Sequence, residues 1–240
     1  MKVLVLGASG ATGKLVVQQF VKRNIQVRII VRETAILPSQ ISADKKIEII
    51  KGNISDFEIT KIKDIVKDCD SVICCLGHNL SFKGIYGSPR KLVSNAVSKI
   101  IEAMQSLNIY PKFILMSTTA YTNRKIEEVD DFREKIIFSL LEVLLPPHKD
   151  NMLAAYELVH KLSSKTSIEW VAVRPDSLFD EENVSKYEIH NNKIRSAIFN
   201  SGKTSRINVS HFMAELVTNE KLWQEWKFKT PVIYNKEFDS

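Results

Sequence analysis

The stretch Val3-Leu4-Val5-Leu6-Gly7-Ala8-Ser9-Gly10-Ala11-Thr12-Gly13, continued by a helical pattern from Lys14 to Lys22, decides the fold. A short apolar run reads as a buried strand, and the glycines after it as a turn into a helix. The chain has only eight glycines, and three fall here in G-x-x-G-x-x-G spacing, so the clustering asks for a backbone reason. Gly7 permits a tight turn off the strand, Gly10 lets main-chain N–H groups approach an anion, and Gly13 lets the helix pack close to the sheet. Ser9, Ala11 and Thr12 complete a loop at a helix N-terminus, where unpaired N–H groups and the helix dipole suit a pyrophosphate. Gly13, Val16, Val17 and Phe20, at i, i+3, i+4 and i+7, give that helix a face to bury on a sheet.

A second strand, Gln26 to Val31, ends in Arg32. In dinucleotide-binding folds this position reads the adenosine ribose: an acid takes the 2′-OH, and an arginine pairs with a 2′-phosphate. Arg32 therefore points to NADP(H), while Glu33 beside it keeps NAD(H) possible.

At 240 residues and 27.4 kDa, with 44% apolar residues, the chain fits one domain with a sizeable core. No apolar run approaches the ~20 residues of a membrane span. The strand begins at once after Lys2, leaving no room for a cleavable signal, so a cytoplasmic protein is expected. Cys69, Cys74 and Cys75 read as small buried residues: adjacent residues of a strand point to opposite faces and cannot converge on a metal. The net charge of +6 is spread along the chain without a basic stripe and aromatic interleaving, which argues against a nucleic-acid partner. The expected partner is a small-molecule substrate, with no membrane, and the protein a monomer or homodimer.

Further along, Thr34 to Asp44 reads as a loop with a short turn, and Ile47 to Ile50 as a third strand. Gly52-Asn53-Ile54-Ser55-Asp56 follows it; Asn53 and the Ile54 backbone are the adenine candidates, and Asp56 is expected to cap the helix Phe57 to Lys67. The fourth strand runs Ser71 to Leu76, so Cys75, Leu76 and Gly77 reach the cofactor edge, and the loop His78 to Pro89 is expected to cover the nicotinamide. A helix from Arg90 to Leu107 leads to strand five, Phe113 to Met116. There Ser117-Thr118-Thr119 sets three hydroxyls at the strand end, able either to donate to a carbonyl oxygen that gains charge as hydride arrives or to cap a turn. Phe132, Ile136, Leu140 and Leu144 line one face of a helix within Val129 to Leu145, read as core or subunit contact. Pro146-Pro147 stops it, the next helix spans Asp150 to Ser163, and strand six is Ile168 to Val173. Pro175 is expected to end the ladder and turn the chain over the cofactor. Asn208 or Ser210 caps a helix to about Thr218, Tyr187 to His190 and Pro231 to Tyr234 read as strands, and Trp223 and Trp226 fill the core edge.

Together these patterns predict an α/β fold, a Rossmann-type doubly wound parallel sheet in three layers, as a single domain over 1–240 with 176–240 as a small substrate-side C-terminal region. The chain resembles the atypical short-chain dehydrogenase/reductases, in their NmrA-like and flavin (biliverdin-IXβ) reductase-like branch. Residues 7–13, Val31-Arg32, 52–56, Pro146-Pro147 before Asp150-Asn151, Trp170 to Pro175 and Thr204 to Val209 carry the resemblance. It implies a seven-stranded sheet, NADP(H), and hydride transfer to a small carbonyl, flavin or quinone-like acceptor. The chain departs from the usual Tyr-x-x-x-Lys pair: Tyr156 is followed four later by His160, with Lys161 one place too far, and Tyr121-x-x-x-Lys125 lies too close to Ser117. Candidate catalytic residues are Ser117, Thr118, Tyr156 and Asn151, although Tyr156 reads as well as a core tyrosine; His148 ranks below Ser117. The missing dyad leaves open a non-catalytic protein that senses NADP(H).

Overall fold

The computed structural model describes residues 1–77, 90–126, 128–162 and 167–236. The chain opens with β1 (Lys2–Leu6), α1 (Ala11–Lys22) and β2 (Gln26–Val31), then a one-turn α2 (Ser39–Ser42) and β3 (Ile47–Lys51). α3 (Ile59–Val66), β4 (Ser71–Cys74), α4 (Leu92–Leu107) and β5 (Lys112–Met116) follow. Two consecutive helices, α5 (Phe132–Leu144) and α6 (Pro146–Tyr156), precede β6 (Trp170–Pro175). The remainder supplies β7 (Ser177–Phe179), β8 (Tyr187–His190), β9 (Lys203–Ser205), α7 (Arg206–Thr218), α8 (Glu220–Trp226) and β10 (Val232–Asn235).

The main sheet has eight strands in the order β3-β2-β1-β4-β5-β6-β10-β8, one more than the seven expected. The extra strand, β8, is antiparallel on β10; every other pair is parallel. β1 lies between β2 and β4, Leu6 opposite both Ile30 and Cys74, so the connections run outward in both directions from it. That reversal opens a crevice at the carboxyl ends of β1 and β4, where α/β sheets bind ligands.

Alternation along the strands divides the core. Leu4, Leu6, Val72, Cys74 and Phe113 face α3, α4 and α6, whereas Val3, Val5, Ile73, Cys75 and Val173 face α1, α7 and α8. Cys74 and Cys75 thus lie on opposite faces, and all three cysteines are free and buried. Both faces are covered by helices, which is why the central strands read as unbroken apolar runs. Residues 176–236 supply β8 and β10 to this sheet and pack α7 on α1. Among the described residues no helix is long and apolar enough to cross a membrane.

Several local expectations are corrected. Strand six runs two residues further than expected: Pro175 is its last residue, paired with Ile233 of β10, and the ladder ends there. Pro146 stops α5 but also occupies the first position of α6, so that helix starts four residues before Asp150. Ser205, not Asn208 or Ser210, caps α7, accepting from the Asn208 N–H. Asp56 does not cap α3, whose N-cap is Glu58 without a side-chain bond; it accepts instead from Asn53. The α5 face is not core: Phe132, Ile136, Leu140 and Leu144 are all more than half exposed, and Phe138 and Glu134 are the buried side chains.

Candidate cofactor and active site

The glycine turn has the geometry its spacing predicts. Gly7 sits at φ +78°, and a Cβ there would lie 2.5 Å from the Cys75 carbonyl oxygen, where β4 passes under the turn. A Cβ on Gly13 would run into the Gly7 carbonyl, so the helix can reach the turn only with glycine at that place. The Gly10 N–H closes the turn onto Gly7 O at 2.9 Å, and a Cβ at Gly10 would meet only that same oxygen, at 3.2 Å. Gly10 is the N-cap of α1 and no side chain caps the helix, which leaves the N–H groups of Ala11, Thr12 and Gly13 without a side-chain acceptor. Gly10, Ala11 and Ser9 are exposed, Thr12 and Gly13 buried. A pyrophosphate fits this cradle on two counts, the uncapped donors and the space that only glycine leaves.

Two neighbouring strand ends extend the crevice. Arg32 follows β2 directly, is exposed, and makes no side-chain hydrogen bond or ion pair among the described residues. Two arginines near it in sequence are engaged instead: Arg23 pairs with Glu215, and Arg28 with Glu48 and Asp68. Gly52 donates to Val31 O at 2.9 Å, bringing residues 52–57 alongside Arg32. Gly52 has φ +141° with the Phe57 ring against it, a position closed to any side chain. Asn53 accepts from Ser55 N and donates to Asp56, both at 3.4 Å, while Ile54 is buried. From α4, Lys99 donates to the carbonyls of Ser55 and Phe57, both at 2.8 Å, and so fixes this loop; nothing local in the sequence marks that role. On the other side of β1, Cys75 donates to Leu6 O at 2.9 Å, Leu76 is half-buried, and Gly77 is exposed with open space where a side chain would go. The loop expected over the nicotinamide, 78–89, lies outside the described residues.

The three hydroxyls after β5 separate in role. Thr118 accepts from Ala120 N at 3.2 Å and its carbonyl accepts from Tyr121 N at 3.0 Å, so it builds the turn. Thr119 is buried and its hydroxyl donates to Asp176, just past β6. Ser117 is tied through its N–H to Val173 O at 2.7 Å, yet its Oγ is buried with no partner among the described residues. A buried hydroxyl without a partner costs free energy, ~1–3 kcal/mol, unless a ligand or water completes it. Asp176 accepts from Ser177 N and Gly202 N, both at 2.9 Å, and burial pushes its carboxyl above the usual carboxylate range.

Beneath these hydroxyls lies a buried ionic network that the sequence did not signal. Arg174, fully buried, donates to Thr230 O at 2.7 Å, Tyr121 O at 2.9 Å and Glu128 Oε2 at 2.6 Å. Glu128 also accepts from Asn123 N at 2.9 Å and Lys193 N at 2.8 Å. Arg174 therefore ties Tyr121 and Glu128 to Thr230, just before β10, and to the carbonyl of Asn191. Beyond Glu128 an open cleft of about 400 Å³ is lined by residues of 128–134 and 192–196, including Lys193 and Arg195.

Neither tyrosine forms the usual dyad. Tyr156 is 52% exposed, not a core residue, and stacks on His160 with ring centroids 4.2 Å apart. Tyr121 is buried, its phenol pushed up to about 12 by that burial, while Lys125 donates to Val159 O at 2.9 Å. His148 stacks on Phe138, and its buried Nε2 has no partner among the described residues. Asn151 is half-buried on α6. Asp150 beside it is 1% exposed and caps a different helix: it accepts from Val93 N (2.7 Å), Ser94 N (3.1 Å) and Ser94 Oγ (2.5 Å) at the start of α4. Asp150 is thus occupied structurally, and only its neighbour remains for a substrate.

Residues 7–220 match the model of a family described as NAD(P)H-binding. An uncharacterized chloroplastic protein of Arabidopsis thaliana is 25% identical over 182 residues, 74% of this chain, and the chain spans 59% of that relative's length. A short-chain dehydrogenase/reductase from Veillonella parvula, solved in complex with NADP, superposes with a TM-score of 0.69 at 15% identity, covering 100% of this chain and 96% of that one. The anaerobilin reductase ChuY of Escherichia coli O157:H7 gives 0.69 at 16% identity with both chains covered completely. At such identities the likenesses establish the fold, and the family match establishes the nucleotide. The uncapped glycine cradle sits inside the matched region, and the chain belongs to the NAD(P)H-binding family, on the fold of the atypical short-chain dehydrogenase/reductases.

Proposed function

We propose that the protein is an NADP(H)-dependent oxidoreductase that reduces a small carbonyl, flavin or quinone-like acceptor. The observation that carries the reading is Ser117 Oγ, a buried donor without a partner among the described residues, at the end of β5, two strands from the glycine turn across β4. The bound dinucleotide would supply hydride. The chain's own residues do the rest. The N–H groups of Ala11, Thr12 and Gly13 hold the pyrophosphate, and the exposed Arg32 guanidinium pairs with the 2′-phosphate. Thr118 shapes the turn, Thr119 binds Asp176, and Ser117 donates to the acceptor oxygen as negative charge develops on it. Asn151 and Tyr156 remain candidates for contact with the acceptor. With no lysine paired to Tyr156 among the described residues, the rate rests on positioning, which can supply much of a barrier reduction when reactants are well aligned.

The test is steady-state NADPH oxidation with flavins, quinones and small aldehydes. Turnover should appear with at least one class, and Ser117→Ala should lower kcat by about 10- to 100-fold while NADPH affinity holds. Tight NADPH binding with no turnover against any acceptor would overturn the proposal. It would favour the second reading, a non-catalytic NADP(H) sensor, which the Tyr156–His160 stack in place of a Tyr–Lys pair supports.

A further inference from the structure

The α5 helix carries an apolar face that the described part of the molecule leaves open. Phe132 (75% exposed), Ile136 (55%), Leu140 (55%) and Val143 (79%) fall within a quarter turn of one another, with Val129 and Leu144 at the margins. Their exposed parts sum to roughly 600–700 Å², above the ~300–600 Å² of a monomer's usual largest patch and close to the ~800 Å² per partner of a standard interface. The two flanks of this stripe differ. On one, Arg133 lies over the Phe199 ring at 5.0 Å and reaches Asp131 at 3.6 Å, so its charge is engaged within the chain. On the other, Lys135 and Glu142 are exposed, stand seven residues apart on one line of the helix, and make no ion pair among the described residues. One is basic towards the N-terminal half, the other acidic towards the C-terminal half.

That arrangement is self-complementary under a two-fold axis. We propose that α5 pairs with α5 of a second copy of this chain, antiparallel, with the axis passing near Ser139. Lys135 of each copy then faces Glu142 of the other, and the apolar stripes cover one another. A parallel pairing would set like charges at the same level. A membrane surface fits less well: α5 carries two basic and two acidic residues and lacks the basic polar face of an interfacial helix. This inference does not depend on the reaction assigned to the site.

Sedimentation equilibrium over a concentration series, with circular dichroism as the check on folding, tests it. Wild-type protein should dimerise in the micromolar range, and Leu140→Glu, an exposed position, should weaken dimerisation by at least about 100-fold with the melting curve unchanged. Lys135→Glu and Glu142→Lys alone should each weaken it about 10-fold, and the double swap should restore it, because only the intermolecular pairs are rebuilt. A wild-type monomer at the highest concentration, a dimer indifferent to Leu140→Glu, or a double swap that fails to restore pairing would each overturn the proposal. So would a monomer that co-sediments with phosphatidylcholine–phosphatidylserine vesicles, which would assign the stripe to a membrane surface instead.

Discussion

Single residues decide whether the crevice accepts its nucleotide, and two glycines show how differently the same residue type can matter. A methyl group at Gly13 would meet the Gly7 carbonyl, so Gly13→Ala must push α1 off the turn; at Gly77 nothing lies within reach. Gly13→Ala should lower the melting temperature and weaken NADPH binding by more than about 10-fold, whereas Gly77→Ala should leave the melting temperature unchanged, by thermal melts and fluorescence titration. Arg32 tests a different property. Its side chain has no partner among the described residues, so Arg32→Ala removes no internal bond and stability should hold. NADP(H) affinity should fall about 10- to 100-fold and NAD(H) affinity by less than about 3-fold, since only the former presents a 2′-phosphate. Equal losses for both nucleotides would refute the assignment. The glycines were legible because each is a backbone constraint encoded by spacing alone. The partnerless Ser117 was not separable from Thr118 and Thr119 by sequence, since what distinguishes them is Asp176, some sixty residues away.

Elements were legible where their pattern is local and opaque where their partner is distant. The strands β1 to β6 and the face of α1 followed from apolar runs and helical period, because a sheet covered on both sides leaves that signature. The α5 stripe obeyed the same rule yet lies exposed: period reports that a face is apolar, not what covers it. The Asp150 contact is the reverse case. α4 begins at Leu92 with no side-chain cap from its own flank, and Asp150, 56–57 residues on, accepts its first N–H groups from inside α6. Three charge-assisted bonds to one buried carboxylate tie the two helices together behind the hydroxyl loop. Asp150→Ala leaves those donors buried and unmet, and should cost about 2–4 kcal/mol by urea denaturation. Asp150→Asn keeps an acceptor and should lose about half as much. If alanine and asparagine were equal and both small, the cap would have no energetic role.

For the whole molecule, acidity is the variable that separates buried neutral groups from paired charged ones. Burial pushes His148, His160 and His211 below the usual histidine value; Lys125 adds to the effect at His160, whereas Glu142 and Glu215 oppose it at His148 and His211. His211 is held between the Tyr187 hydroxyl, at 2.8 Å from Nδ1, and Glu215, at 3.7 Å from Nε2, with Arg23 bound to the same carboxylate. A histidine whose folded pKa is depressed binds fewer protons in the native than in the unfolded chain across the interval between the two values. Its stabilisation is complete above the unfolded pKa near 6.5 and is lost as pH falls through the interval. Asp68 works in the same direction but lower: Arg28 holds its carboxyl down to about 2, so its share fades only below about pH 4 and is trimmed by solvent. Asp176, raised by burial, opposes both, since its native form takes a proton before the unfolded one does. The unfolded histidine value lies above the carboxylate range, so the melting temperature should be flat from pH 8 to 7 and decline as pH falls below about 6.5. His211→Gln, which keeps a polar side chain for Tyr187 but cannot titrate, should flatten part of that decline. A melting temperature that rises across the same interval would mean that these histidines are charged in the folded protein, and that Glu142 and Glu215 outweigh their burial.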